Sequence, residues 1–259
     1  MKIGVNYKRE NPEILNLIKS ESTKYGLEID NDNPDVVFSI GGDGTFLKTV
    51  HKYFNKLDKI SFVGINSGTL GFFYDFVKED IPEIMKLISQ EKFTPREYPL
   101  LCAKAKYENE SKEVFAINEI RIENPFHTIS CNVLVDDELL ESFRGNGLVV
   151  SSSLGSSGYN KSLGGSLIDH DLCALEITEV AGLQNRVTSS LHNSLILSGN
   201  KKIVFNNIVS PSILGYDHLS IQDEEELQEV VIGYSDKKVR IIYKDNHSYT
   251  QRIRKSFVL

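Results

Sequence analysis

An apolar run, Val36-Val37-Phe38-Ser39-Ile40, passes straight into Gly41-Gly42-Asp43-Gly44-Thr45 and then into a stretch with helical periodicity. Phe46, Leu47, Val50 and Phe54 fall on one face of that stretch. A near-continuous apolar run is the pattern of a buried parallel strand. The segment therefore predicts a strand–turn–helix unit of an α/β layer. Glycine admits backbone angles that other residues avoid and lets another molecule approach the main chain. A turn at a helix start also offers free N–H groups and the positive end of the helix dipole, which suit phosphate. Asp43 is the odd member. A carboxylate in a phosphate cradle repels its ligand unless it holds a cation or removes a proton, so the turn points to phosphoryl transfer. The plain alternative is a tight strand–helix turn with Asp43 as a helix cap.

The turn is neither of the common phosphate fingerprints. A dinucleotide-binding G-x-G-x-x-G would need Gly or Ala at Leu47, and no Gly-Lys dipeptide occurs anywhere to make a P-loop.

Around the turn, strand and helix patterns alternate. Lys2 to Asn6 is a short strand. Asn11 and Pro12 start a helix with Ile14, Leu15, Leu17 and Ile18 inward, and Gly26 ends it. Ile60 to Ile65 is a further strand, running into a second glycine-rich loop from Asn66 to Phe73. A helix through Ile81, Ile84, Met85, Leu87 and Ile88 follows. Such repetition gathers loops at one sheet edge, where ligands bind. From Tyr98 the pattern changes to short β runs: 100–107, 114–117, 129–135, 139–143, 194–197, 201–206, 230–233 and 239–243. The expected organisation is an α/β domain over residues 1–97, a β-rich domain over 98–235 and a C-terminal segment over 236–259. That segment carries seven Lys and Arg residues between Lys237 and Lys255, against Asp236 and Asp245. It reads either as a solvated basic end or as a tail that folds back to offset phosphate charge.

Bulk properties narrow the partners. A net charge of −7 argues against a general nucleic-acid binder. Three separated cysteines (Cys102, Cys131, Cys173), without a C-x-x-C pair, point to a reduced, cytoplasmic setting rather than a disulfide framework or zinc site. The start of the chain lacks the pattern of a signal peptide, and no apolar run reaches membrane-spanning length.

Three further segments carry chemistry. Asn118 and Glu119 adjoin an extended run, so they point to opposite faces. Asn can pair with an adenine edge, and Glu can accept from a ribose hydroxyl or help hold a cation; a surface turn is the alternative. Ser151 to Asn160, with Ser157, Gly158 and Tyr159, follows a strand and continues to Ser162 and Gly164-Gly165. Its hydroxyls, glycines and ring suit sugar, phosphate or amide groups, against the alternative of a flexible loop. His218 follows Asp217, and a lone histidine of this kind is more often structural than catalytic. The remaining histidines show no metal-ligand spacing.

Taken together, these segments resemble the NAD kinase family across essentially the whole chain. The resemblance rests on Gly41–Thr45 after its strand, the Asn66–Phe73 loop, Asn118-Glu119, Phe143-Arg144-Gly145 before the Ser/Gly/Tyr loop, and the closing Arg252-Ile253-Arg254-Lys255-Ser256-Phe257. It implies an enzyme that moves the terminal phosphoryl of ATP, or of polyphosphate, to the 2′-hydroxyl of NAD's adenosine ribose, giving NADP. It also implies a divalent cation, usually Mg²⁺, and a homodimer or homotetramer. The implied fold is a Rossmann-like α/β domain followed by a β-rich one, with the C-terminal segment returning to the first. Asp43 matches the family's essential acid. Gly42, Gly44 and Thr45 match its phosphate-facing turn, and Phe72 a ring near adenine. Asn118 and Glu119 match the adenosine-gripping pair. Ser157, Gly158, Tyr159 and Ser162 fall on the loop that meets the dinucleotide, and His218 sits where some members place a histidine near phosphate.

Two departures stand out. The family's Arg-Gly-Asp-Gly is here Arg144-Gly145-Asn146-Gly147, which puts the nicotinamide side in question. Leu154 replaces a hydroxyl residue in the serine loop, which also lacks the usual proline. Those changes motivate an alternative, a catalytically weak NAD(P)-binding sensor. A diacylglycerol-kinase-like lipid kinase is a third reading. Net acidity and the lack of a basic amphipathic stretch oppose it.

Overall fold

The computed structural model describes residues 1–68, 71–184, 190–222, 226–245 and 248–258. Thr69 and Leu70 of the second glycine loop, His247 and Leu259 lie outside them. The chain divides into two compact units, Met1–Tyr98 with Lys237–Leu259, and Pro99–Asp236.

The first unit is built on parallel strands. β1 (Lys2–Tyr7) leads to α1 (Pro12–Tyr25), β2 (Glu28–Ile29), β3 (Val36–Gly41), α2 (Asp43–Lys52), β4 (Ser61–Asn66) and α3 (Ile81–Ser89). The strands pair in the order β2-β1-β3-β4, all parallel, and Ile241 and Ile242 continue the ladder beside β4. α1 forms where its signals stand: Asn11 Oδ1 accepts from Ile14 N (3.2 Å), Pro12 opens the helix, and Gly26 closes it at φ 67°. Ile14 and Ile18 from α1 and Ile81, Ile84, Met85 and Ile88 from α3 pack with Val36, Phe38, Ile40, Val63 and Ile65 in one apolar core. Parallel pairing brings Gly41 and Asn66, the last residues of β3 and β4, side by side. Both glycine-rich loops therefore leave the same sheet edge.

The second unit is antiparallel. β5 (Arg96–Tyr107) pairs with β6 (Ser111–Ala116). β7 (Glu119–Glu123), β8 (Ile129–Val135), β9 (Glu138–Gly145) and β10 (Gly147–Ser152) follow. A short helix, α4 (Tyr159–Ser162), then precedes β11 (Ala174–Val180), β12 (Leu195–Ser198), β13 (Ile203–Val209), β14 (Ile213–Tyr216) and β15 (Leu219–Ile221). One sheet has the order β12-β11-β10-β7-β14-β15. Against its apolar face pack residues of β8, β13 and the Leu227–Ile232 stretch, giving a core that includes Ile120, Leu148, Val150, Leu175, Val133, Phe205 and Val230.

The sequence pattern missed several features here, the β14–β15 hairpin among them. The runs 230–233 and 239–243 are one 16-residue strand, β16 (Leu227–Ile242). The polar residues between them occupy exposed or half-buried positions of an unbroken extended chain. β11 reads poorly because Glu176 and Thr178 point inward, where Asn160 meets both. β7 is hidden by its alternating charges.

The closing residues, α5 (Tyr249–Ile253) and a π-helical turn (Arg254–Val258), belong to the first unit. Several cations of the basic tail pair with carboxylates of that unit, Lys238 at the exposed surface and Arg252 buried. Lys238 pairs with Glu97 (3.0 Å), Lys244 with Asp80 (2.7 Å), and Arg252 with Asp75. No helix among the described residues is long and apolar enough to cross a membrane.

Candidate active site

The first set of candidate residues stands at the β3–α2 turn. Gly42 is the N-cap of α2, in extended conformation, and no side chain caps the helix. Open space lies beside Gly42 and Gly44. The first turn thus keeps its dipole and its room for an anion. Thr45 is buried and its N–H donates to Gly42 O (2.6 Å), while its side chain lies over Gly41. Its side chain thus fills the space that a Cβ on Gly41 would need.

Asp43 turns toward the second glycine loop. Its Oδ2 accepts from Phe72 N (2.9 Å) and its Oδ1 from Phe73 N (3.1 Å). A Cβ at position 71 would collide with this carboxylate, so only glycine allows the approach. Burial raises the Asp43 pKa, opposed by the two amides and by the positive charge of Arg252. Such a carboxylate is more basic than an exposed one and held in one orientation. Phe73 stacks on Phe46 of α2 at 4.7 Å, fastening the loop to the helix. Phe72 is buried, with its ring 5.6 Å from that of Phe257 and 6.4 Å from that of Tyr249.

Below the turn lies a polar network that periodicity did not reveal. Ser39 Oγ is 3.0 Å from both Thr49 Oγ1 and Tyr74 OH, and Asn6 Nδ2 donates to Thr49 Oγ1 (2.8 Å). Ser39, Thr49 and Tyr74 are all buried. Single hydroxyls inside apolar runs carry no spacing signal. Burial raises the Tyr74 phenol, which stays protonated and able to donate.

The second set belongs to the other unit. Glu119 begins β7 and is buried, with Asn118 just before it. Asp217, also buried, anchors this corner. Its carboxylate accepts from Ile117 N (2.9 and 3.1 Å) and Asn118 N (2.7 Å), while its own N–H donates to Glu119 O (3.1 Å). Asp217 takes the left-handed conformation (φ 48°) in the β14–β15 hairpin. The reading of Asp217-His218 as a site singled out the histidine; His218 is the exposed partner, and Asp217 is the one that builds the strand start.

Asn118 Oδ1 is buried with no hydrogen-bond partner in the structure. Its Nδ2 faces Gly158, where a Cβ would come within 3.5 Å of it and 4.0 Å of Glu119 Oε2. An orphaned amide acceptor beside a glycine and a carboxylate fits a ligand that offers an N–H. Glu119 Oε1 takes a hydrogen bond from Arg121 Nη1 (3.2 Å). Burial, with Asp217 nearby, pushes the Glu119 pKa up to about 8 against the pull of Arg121.

The serine-rich loop packs against the same corner. Ser152 Oγ donates to Ile117 O (2.6 Å) and accepts from Gly155 N (3.0 Å). A Cβ on Gly155 would strike the Asn118 carbonyl, so this glycine is required by close approach. Ser157 and Gly158 are half-buried, whereas Tyr159 and Ser162 are exposed. Tyr159 OH donates to Glu123 Oε1 (2.6 Å), and its ring lies 5.6 Å from the Arg121 guanidinium. Burial and Glu123 raise this phenol to about 12. Leu154, the departure in this loop, is buried. Asn146 Nδ2 donates to Asn124 O (3.0 Å) and more weakly to His127 O (3.5 Å), which gives this side chain a structural task in the turn at 124–127.

Among the described residues, no group of three or more His, Cys, Asp or Glu side chains is placed to hold a metal ion. Asp43, Gly42, Gly44, Thr45 and Phe72 thus form one cluster in the first unit. Asn118, Glu119, Ser157, Gly158 and Tyr159 form another in the second, with Ser162 closing α4. Asn146 bonds to Asn124 and His127 instead, and His218 is exposed beside Asp217.

Residues 2–93 match the family model for the ATP-NAD kinase N-terminal domain, and residues 117–242 that for the ATP-NAD kinase C-terminal domain. The chain is 33% identical to the NAD kinase of Lysinibacillus sphaericus over 100% of its own length and 99% of that protein. It is 34% identical to NAD kinase 1 of Bacillus anthracis over 95% of this chain and 93% of that one. Among solved structures, an NAD kinase from Archaeoglobus fulgidus in complex with ATP matches with a TM-score of 0.81 at 22% identity, over 98% of this chain and 99% of that chain. A yeast NADH kinase complexed with NADH gives 0.83 at 19%, over 98% and 86%. At these identities the two structures speak to fold alone, and both agree with the two-domain architecture.

Proposed function

The chain belongs to the NAD kinase family, and from that premise we propose that it transfers the terminal phosphoryl group of ATP to the 2′-hydroxyl of the adenosine ribose of NAD, giving NADP and ADP. The observation that carries this reading is Asp43: a half-buried carboxylate fixed by two backbone amides at an uncapped helix start, with open space at Gly42 and Gly44. Asp43 takes the 2′-hydroxyl proton, the ribose oxygen bonds to the γ-phosphorus, and the bond from that phosphorus to the β–γ bridging oxygen breaks. The proton then leaves Asp43 for solvent. Positioning and charge do most of the work in phosphoryl transfer, and a base adds roughly 10²–10⁴-fold. Gly42 and Gly44 leave their backbone open to the donor's phosphates.

Asn118 and Glu119 take adenosine, the amide oxygen accepting from the adenine amino group and the carboxylate accepting from ribose hydroxyls. Gly158 leaves room for that contact, with Ser157, Tyr159 and Ser162 on the dinucleotide's flank. Asn146 is assigned to the nicotinamide end and His218 to phosphate, both on the family resemblance. A divalent cation, Mg²⁺ or a similar ion, neutralises charge on the donor's phosphates when bound. This chain suits such an ion carried by the phosphates with few protein carboxylates, because Mg²⁺ usually binds through one or two carboxylates plus substrate phosphate. The family resemblance also supports a homodimer or homotetramer, which light scattering on the purified chain reads directly. The three free cysteines fit a reducing cytoplasm.

The direct test is purified protein with Mg²⁺ and NAD, with ATP or polyphosphate in parallel, and enzymatic detection of NADP. Turnover with ATP supports the reading. Binding of NAD without turnover points to the sensor instead. Asn118→Ala is expected to weaken NAD binding about tenfold, equivalent to roughly 1.4 kcal/mol for one lost hydrogen bond in a buried site. Titration calorimetry measures it, and an unchanged affinity removes Asn118 from the adenosine site.

Glu119 sets a pH dependence. Its folded pKa, about 8, lies above the ordinary 4.5. Its contribution to stability is therefore fully present below the ordinary value and is lost as pH rises through about 8. NAD affinity runs the other way, because the carboxylate is the form that accepts from ribose. Affinity is expected to rise as pH climbs toward 8, and Glu119→Gln to flatten the rise; calorimetry at a series of pH values checks both.

A further inference from the structure

Arg252 lies 181 residues after Gly71 in the chain, yet it is buried against the loop that holds Asp43. Its Nη1 donates to Gly71 O (2.6 Å) and Tyr74 O (2.8 Å). Those carbonyls bracket Phe72 and Phe73, whose N–H groups bind the two carboxylate oxygens of Asp43. The other arm of the guanidinium, Nη2, pairs with Asp75 Oδ1, and Asp75 Oδ2 accepts from Lys244 N (2.8 Å). The ring of Tyr243 lies 5.8 Å from the guanidinium carbon. One planar cation thus fixes both ends of a four-residue turn and is itself held on its far side.

We propose that Arg252 is a positioning residue for phosphoryl transfer: its fork holds the Gly71–Tyr74 turn so that the Phe72 and Phe73 amides keep the Asp43 carboxylate in its one productive orientation. The proposal rests on Asp43 being the base. Lysine cannot replace the fork, since a point charge does not reach two divergent carbonyls and a carboxylate together. The guanidinium also holds down the Asp43 pKa that burial raises. The other titratable groups that sense Asp43 are the phenols of Tyr74 and Tyr243, both pushed up by burial and neutral near pH 7. Asp75 stands beyond Arg252 as its counter-charge.

Two variants test it. Arg252→Gln removes the cation and shortens the fork. Its kcat, per mole of folded enzyme by circular dichroism, is expected to fall on the order of 10²-fold, with KM for NAD and ATP little changed. The acid limb of its rate profile should move to higher pH. Arg252→Lys keeps the charge, and so keeps the limb in place, but loses the turn and should lower kcat alone. If Arg252→Gln does not fold, the lysine variant still reports on positioning. A stabilising role alone would lower the melting temperature of either variant and leave kcat per folded molecule and the acid limb as they were; that result overturns the proposal. Asp43→Asn run beside them separates the cases. If that variant is as active as the parent, the base assignment fails; if it is dead while both Arg252 variants turn over normally, only the positioning role fails.

Discussion

Asp43→Asn lowers kcat by about 10²–10⁴-fold while NAD still binds. The substitution is nearly isosteric, so the side chain stays in the space that Gly71 leaves open. Its remaining oxygen can accept from one of the two loop amides, while its NH₂ group faces the other N–H and gains nothing. The loss therefore divides into a small cost of loosening at Phe72 or Phe73 and a large cost of removing the proton acceptor. Single-turnover measurement of NADP formation, with NAD affinity read separately by calorimetry, resolves the two. A parental rate in this variant would remove Asp43 from the chemistry.

Asp217→Ala has the second large effect, and it is structural first. The carboxylate satisfies the buried N–H groups of Ile117 and Asn118. Removing it strands both donors, at about 1–3 kcal/mol each. Alanine also sits less well in the left-handed turn conformation that Asp217 adopts (φ 48°). The melting temperature is expected to fall by about 5–15 °C for a loss of this size, and NAD affinity to fall with it because Asn118 loses its anchor. Asp217→Asn keeps one acceptor and should land between. Scanning calorimetry with and without NAD gives both numbers. A variant that melts with the parent would mean that water replaces the carboxylate at no cost.

Much of the first unit was legible in the sequence because its cues are local. The apolar run of β3, the Asn11 and Gly26 caps and the amphipathic spacing of α3 each act within a few residues. The β3–α2 turn was legible for the same reason. What escaped was settled at long range. Asp75 and Arg252 are far apart in the chain, and although Arg252 opens the closing motif, nothing local in the sequence says that it meets Asp75. Glu176, a charged residue inside β11, is buried because Asn160 and Ser166 donate to its carboxylate from elsewhere in the chain. Asp217 was read as a neighbour of His218, when its importance comes from Ile117 and Asn118, a hundred residues earlier. The polar middle of β16 concealed one strand as two, because an exposed lysine pair is the same signal in a turn and on a solvent-facing stretch of strand.

The split composition of the first unit bears on how the chain is made. Its opening 98 residues are synthesised early, but residues 237–258 supply the strand end beside β4 and the guanidinium over the Gly71 turn. A ribosome must pass residue 252 before that turn can be closed. A chain released before Arg252 is expected to carry the glycine turn and its carboxylate without the guanidinium that holds the loop amides.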